Sequence, residues 1–299
     1  MGQAMDTSLD ELKRASAVRE PSFALALGGG GARGICHIHV IEVLDELGIV
    51  PQAISGSSIG AIMGAAMGSG MKGKEVREFA LDLLAKRGGN LANRLFKLGT
   101  SAMRSPTDGF RLGQFNLQLL LETLLPPEIP KEFANLKLPL KVMASDYYGQ
   151  EEVVIDSGNL HEALAASAAL PAIFMPVRIN GRVMIDGGIF NPVPYEHVMD
   201  GSDITIGVDV VGGPDGVEQT IPSRIDGLIG ASQLMMQACV RLKLRLRTPQ
   251  IYLRPPIHRF QVMDFLKVQE ILAHTEPTRD ELKYAIEREV EAFHRKGRG

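Results

Sequence analysis

Phe23-Ala24-Leu25-Ala26-Leu27 runs directly into Gly28-Gly29-Gly30-Gly31-Ala32-Arg33-Gly34. A short apolar run ended by glycines reads as a buried strand. Beyond the glycines, Ile35, Ile38, Ile41, Leu44 and Leu47 fall on one face of a helix over 34–47, and Gly48 stops it. The pattern then repeats. Ala53-Ile54-Ser55 closes a strand over 52–55, Gly56-Ser57-Ser58-Ile59-Gly60 makes a second glycine-framed turn, and a second helix covers 58–68. Two strand–turn–helix units with short connections predict an α/β protein whose central sheet is mostly parallel and covered by helices.

Downstream, a helix is expected over 73–86. Residues 88–112 are irregular, broken by Gly88, Gly89, Gly99, Pro106 and Gly109. With the helix expected over 113–125 they form a lid or access region, 88–125. Its apolar residues, among them Leu95, Phe96, Leu98, Phe110 and Phe115, either line a substrate site or, for 117–121, pack a helix onto the sheet. Strands are expected over 138–145, 151–155 and 204–211, and an alanine-rich helix over 160–169. Val177-Arg178-Ile179 and Val183-Met184-Ile185 flank Asn180-Gly181, a hairpin signal. Residues 221–290 read as mostly helical, with a strand at 251–253. Within them Val240–Arg247 alternates apolar and basic residues and fits a strand as well as a helix. Residues 1–20 read as a flexible segment, 21–290 as a single domain and 291–299 as a frayed tail.

The chain has 299 residues, 45% apolar and 22% charged, and 32 basic residues stand against 35 acidic ones. No global basic field points to nucleic acid. Cys36 and Cys239 both fall in expected helices, so a disulfide framework is not expected and a reducing compartment is. Met1–Glu20 lacks the apolar core of a signal peptide, and no run reaches the roughly 20 apolar residues that span a bilayer. A cytoplasmic protein is the expectation, with peripheral contact to a membrane surface and self-association left open. No His, Cys, Asp or Glu group has the spacing of metal ligands, so neither a metal nor a cofactor is expected.

The first glycine turn admits several chemistries. Gly29-x-Gly31-x-x-Gly34 fits the dinucleotide fingerprint, but Ser55-Gly56-Ser57-Ser58 stands where an acidic residue would hold the ribose. A phosphate loop needs Lys-Ser/Thr after its last glycine, and Ile35-Cys36 stand there. Two readings remain: a tight turn for helix–sheet packing, or a cradle of N–H groups for a developing oxyanion at a helix start. Arg33 either meets an anionic headgroup or pairs with a structural carboxylate. In the second turn Ser58 sits at the centre of Gly-x-Ser-x-Gly, between a strand and a helix, where a hydroxyl is held exposed on a tight elbow. Ser55 and Ser57 lie off that centre.

A serine nucleophile needs a base. His258, His274 and His294 come late in the chain, but none follows a core strand in a loop of small residues. His37 and His39 lie in the first helix and read as packing or hydrogen-bonding residues. His161 and His197 have no assigned role. Asp186 follows Val183-Met184-Ile185 and precedes Gly187-Gly188, a strand-end carboxylate with no side chain obstructing it. It acts as the base or merely caps a turn. Asp146, Asp156 and Asp209 also lie near strand ends and read as structural.

Gly29-Gly30-Gly31-Ala32-Arg33-Gly34, Gly56-Ser57-Ser58-Ile59-Gly60, Asp186-Gly187-Gly188 and the block Ala166–Pro176 occur in one order that resembles the patatin-like phospholipase family. The resemblance covers roughly 23–211 and leans toward its bacterial, neuropathy-target-esterase-like branch. It implies a three-layer α/β/α fold and a Ser–Asp dyad of Ser58 and Asp186. It places the oxyanion hole at Gly29, Gly30 and Gly31, with the N–H groups of Gly30 and Gly31 foremost, and gives Arg33, Gly34, Gly56, Gly60, Gly187 and Gly188 supporting roles. It implies hydrolysis of acyl esters such as glycerolipids and lysophospholipids without bound calcium. The elbow does not itself choose the leaving group, so a serine peptidase or amidase is an alternative, as is a regulatory protein on the same fold.

Overall fold

A computed structural model describes residues 19–86, 117–171, 173–214 and 221–297. Eight strands form one sheet: β1 (Phe23–Leu27), β2 (Ala53–Ser57), β3 (Leu140–Asp146), β4 (Glu151–Ile155), β5 (Val177–Ile179), β6 (Arg182–Asp186), β7 (Ile204–Val208) and β8 (Ile251–Leu253). The β1–β2, β2–β3, β1–β7 and β7–β8 pairs are parallel. The β3–β4, β3–β6 and β5–β6 pairs are antiparallel. The helices are α1 (His37–Glu46), α2 (Ile59–Gly68), α3 (Gly73–Leu81), α4 (Leu117–Leu124), α5 (Leu160–Ser167), α6 (Glu196–Met199), α7 (Arg224–Leu246), α8 (Val268–Thr275) and α9 (Thr278–Lys296).

β1 shows why the fold has three layers. Its side chains alternate across the sheet. Phe23, Leu25 and Leu27 enter a large core with α1, α2, α3, α5, α8 and α9. Ala24 and Ala26 face Val198 and Met199 of α6 and Met236 and Val240 of α7 on the other side. Both faces are covered, so β1 is buried along its whole length, as its unbroken apolar run predicts.

The register at β3 positions the site. Val142 and Met143 pair with both β2 and β4, so those two strands lie on opposite edges of β3. Ala144, Ser145 and Asp146 pair with both β4 and β6. β2 and β6 therefore share one edge of β3 and meet end to end. Ser57 pairs with Met143, and Asp186 pairs with the next residue, Ala144. The C-terminal ends of two strands distant in sequence thus converge.

Several boundaries differ from the sequence expectation. The first helix is preceded by a 3₁₀ turn over Gly31–Cys36, because the glycine loop must turn sharply before α1 begins. The helix expected over 73–86 ends at Leu81 and continues as a π-type turn over Asp82–Lys86. β7 stops at Val208, where Asp209 turns its carboxylate onto the Val211 N–H at 2.9 Å. Val240–Arg247 is helical up to Leu246. The helix wins because Val240 and Leu244, one turn apart, both reach the core behind the sheet. α9 runs through Lys296, past residue 290 where fraying was expected. Phe293 is held there under the Arg19 guanidinium, 5.6 Å from the ring centre. The access region is described only from Leu117 onward; the lid assigned to 88–112, like residues 1–18, lies outside the described residues.

Candidate active site

Ser58 occupies the turn between β2 and α2 with φ 54° and ψ −124°. A positive φ on a non-glycine residue is strained and persists only where its surroundings enforce it. Here they do. The Ser58 N–H donates to Ser167 Oγ at 2.8 Å, tying the elbow to the last turn of α5. A Cβ on Gly60 would lie 2.1 Å from the Leu27 carbonyl, so glycine alone lets α2 start against β1. Gly34, Gly56 and Gly187 likewise admit no Cβ without a contact of 2.6 Å or less.

Asp186 ends β6 and is 3% exposed. Its Oδ1 accepts the Gly188 N–H at 2.8 Å, and its N–H donates to the Ala169 carbonyl at 3.1 Å. Burial pushes the carboxyl up to about 6, while hydrogen bonds from the Ser58 side chain and the Gly188 N–H oppose the rise. A carboxyl whose proton affinity is raised in this way lies closer to neutral pH than an exposed one.

The glycine loop runs beside this pair. A Cβ on Gly29 would stand 3.2 Å from Ser58 Cβ, so the loop passes directly against the elbow. The three glycines differ in their donors. The Gly29 N–H donates to the Pro192 carbonyl at 2.9 Å, and that of Ala32 to the Val262 carbonyl at 2.8 Å. Between them, the N–H groups of Gly30 and Gly31 have no backbone acceptor among the described residues. Arg33 does not face the loop's open side. It is 1% exposed and donates to the carbonyls of Phe260, Val211 and Gly213 at 2.6, 2.8 and 3.0 Å. Of the two roles the sequence allows it, the structural one is realised, with carbonyls rather than a carboxylate as partners.

A cavity of about 440 Å³ opens on Gly29, Gly30, Gly31, Ser58, Asp186 and Gly188. Its remaining walls are overwhelmingly apolar. Ile59, Ile62, Met63 and Ala66 of α2, Leu117, Leu120, Leu121 and Leu124 of α4, Phe79, Phe174, Met236 and Leu266 all contribute. Leu117, Leu120 and Leu121 also belong to the core, so α4 both packs and lines.

The histidines take other places. His37 is buried with Nε2 2.9 Å from the Gly28 carbonyl, and burial pushes it down to about 4 against that hydrogen bond. Burial favours its neutral ring, which braces the loop from behind. Asp146 is held by the Tyr148 and Gly149 N–H groups and by Arg182. Asp209 accepts from Tyr252 and pairs with Arg254. Two features escaped the sequence reading. Ser167 lies in the quoted block Ala166–Pro176, yet nothing local marks its hydroxyl as the elbow's anchor. Glu152, Glu196 and His197 have ligand atoms within 4.8 Å of one another. β4 and α6 bring them together, so no sequence spacing shows it. His197 Nε2 lies 2.8 Å from Glu152, and Lys243 Nζ pairs with Glu196 at 2.7 Å, supplying a cation to the cluster.

A three-layer α/β sandwich with glycine loop, serine elbow and Asp-Gly-Gly turn at one sheet edge is the architecture defined by these residues. The model of the patatin-like phospholipase family matches residues 25–199, and the chain belongs to that family. It is 32% identical over 197 residues to an uncharacterised NTE family protein of Mycobacterium tuberculosis, covering 66% of this chain and 51% of that protein. It is 26% identical over 278 residues to lysophospholipase nte1 of Aspergillus niger, covering 84% of this chain and 17% of that one. The chain thus spans about half the length of the mycobacterial relative and a smaller part of the fungal one. Among solved structures, VipD from Legionella pneumophila aligns with a TM-score of 0.45 at 15% identity, over 88% of this chain and 67% of that one.

Proposed function

We propose that this protein is a serine acyl hydrolase acting on carboxylic esters of long-chain lipids, lysophospholipids included. The observation that carries the reading is the cavity: one apolar space ends on a strained serine, a buried carboxylate of raised proton affinity and two N–H groups with no backbone acceptor among the described residues. An acyl chain entering it leaves water, which is favourable by about 0.8 kcal/mol per CH₂. The NTE and lysophospholipase names of the relatives agree with such a substrate.

In the proposed reaction Ser58 Oγ attacks the ester carbonyl carbon as its proton passes to Asp186. The carbonyl oxygen becomes an oxyanion, held by the Gly30 and Gly31 N–H groups at the start of the 3₁₀ turn. One such donor is worth about 3–4 kcal/mol in the transition state. As the C–O bond breaks, Asp186 returns its proton to the departing alkoxide, leaving Ser58 acylated. Water then attacks the acyl carbon with Asp186 again taking the proton, and the fatty acid leaves with Ser58 restored.

Purified protein assayed against lysophospholipids, triglycerides and short p-nitrophenyl esters tests the reading. Ester turnover is expected, and Ser58→Ala should lower kcat by at least about a thousandfold. A fluorophosphonate should label Ser58. Full activity in Ser58→Ala, or recovery of the adduct on another serine, removes Ser58 from the mechanism.

A further inference from the structure

α7 carries an outward face that the proposed reaction does not use. Val240 and Leu244 turn inward to the core. Leu242 and Leu246, each two residues further on, point the other way, 59% and 87% exposed. Leu228 and Met235 continue this exposed stripe at helical spacing toward the N-terminal end of α7. Monomeric surfaces carry isolated exposed leucines, but a row of them along one helix marks a contact surface.

The alternation over Val240–Arg247 acquires a meaning on a helix. Arg241 and Arg245 fall one turn apart on one flank of Leu242 and Leu246, Lys243 falls on the other, and Arg247 follows the last helical residue in extended backbone. Lys243 pairs with Glu196 and Arg247 with Asp200. Arg241 and Arg245 have no ion-pair partner among the described residues. No acidic residue occurs between Gly227 and Arg247, although the chain as a whole carries a net charge of −3. The positive charge is therefore local to this face.

The N-terminal half of the same helix also borders the cavity, on its other side. The inner side of the same helix lines it through Ile229, Gln233 and Met236. Met263 and Leu266, also on the cavity wall, are 49% and 62% exposed and form part of its rim.

We propose that the outward face of α7, centred on Leu242 and Leu246 and flanked by Arg241 and Arg245, docks the protein on the surface of an anionic phospholipid bilayer. The leucines enter the boundary between headgroups and acyl chains, and the arginines meet phosphates. α7 is not long and apolar enough to cross a membrane, so it lies on the surface. A second copy of the chain would cover the leucines, but the stripe offers the two arginines no carboxylate; a phosphate-bearing surface does. The purpose of docking rests on the lipid-hydrolase reading. The binding itself does not depend on turnover.

The test uses the full chain carrying Ser58→Ala, so that hydrolysis cannot alter the vesicles. Co-sedimentation is measured with phosphatidylcholine vesicles containing about one-third phosphatidylglycerol. Leu242→Glu with Leu246→Glu should lower the partition coefficient at least about tenfold. Arg241→Gln and Arg245→Gln should each lower it about fivefold, and less at high salt. With Ser58 present, both pairs of substitutions should leave turnover of a soluble short-chain ester unchanged and reduce turnover of vesicle-borne lipid. Unchanged partition in both variants overturns the proposal. So does wild-type protein that ignores vesicles but sediments as a dimer which Leu242→Glu with Leu246→Glu dissociates, an outcome assigning the face to a second copy. Substitution-sensitive vesicle binding without any ester turnover would sink the hydrolase reading and leave the docking face standing.

Discussion

At Asp186 one burial event has two measurable consequences. The first concerns the reaction. If the ionised carboxylate is the base, kcat/KM should fall below a pH of about 6 as Asp186 takes up a proton. Asp186→Asn should lower kcat by about 10²–10⁴-fold and abolish that acid limb. A variant with full activity and the same limb would assign the titration elsewhere. The second concerns stability. The folded carboxyl binds its proton more tightly than an unfolded one, so its stabilising contribution is complete below the unfolded value near 4 and is lost as pH rises through about 6. At pH 7 the buried carboxylate therefore costs up to about 3 kcal/mol. Asp186→Asn should raise the urea midpoint at pH 7, with the gain shrinking toward pH 4. Equal midpoints at pH 7 would show that burial does not disfavour this charge. His37 has the opposite sign: burial keeps it neutral, and its contribution is lost as pH falls from about 6.5 toward about 4.

The glycine loop is an element held from outside itself. Its N–H groups at Gly29 and Ala32 are fixed by Pro192 and Val262, and Arg33 reaches three carbonyls, that of Phe260 beside Val262 and those of Val211 and Gly213 on a further segment. Gly30 and Gly31 between them have no backbone acceptor among the described residues. Arg33→Met leaves those carbonyls without their donor, and buried charge-assisted hydrogen bonds are worth about 1.5–3 kcal/mol each. Stability measured by urea unfolding should drop by about 3 kcal/mol or more. Arg33→Lys should recover less than half, since one ammonium cannot span a fork of diverging acceptors. An unaltered midpoint in Arg33→Met would mean that the loop holds itself. The elbow follows the same logic, its positive φ being enforced by Gly60 against β1 and by Ser167 from α5.

Across the whole molecule, the cavity should set acyl-chain length. Its α2 wall runs from Ser58 to Ala66, about 12 Å at 1.5 Å per residue. Ala66→Phe should block the inner part, lowering kcat/KM for long-chain esters by tenfold or more and leaving acetyl esters nearly unaffected. Equal losses for both substrates would place the acyl chain elsewhere. The strand–turn–helix pairs, the elbow at Ser58 and the glycine loop were legible in the chain because they are short-range: a buried run of five residues, a turn that excludes Cβ atoms, a helix face at fixed spacing. The helical state of Val240–Arg247 was not legible, because only the core behind the sheet rewards Val240 and Leu244 together. Asp186 shared its strand-end position with Asp146, Asp156 and Asp209, and locally only Gly187-Gly188 set it apart. The end-to-end meeting of β2 and β6 on one edge of β3 brings Asp186 alone to Ser58. The burial of Arg33, the committed N–H of Gly29 and the anchor at Ser167 have the same origin. Each depends on residues far apart in sequence, whose proximity is set by strand register and helix packing rather than by any local preference of the chain.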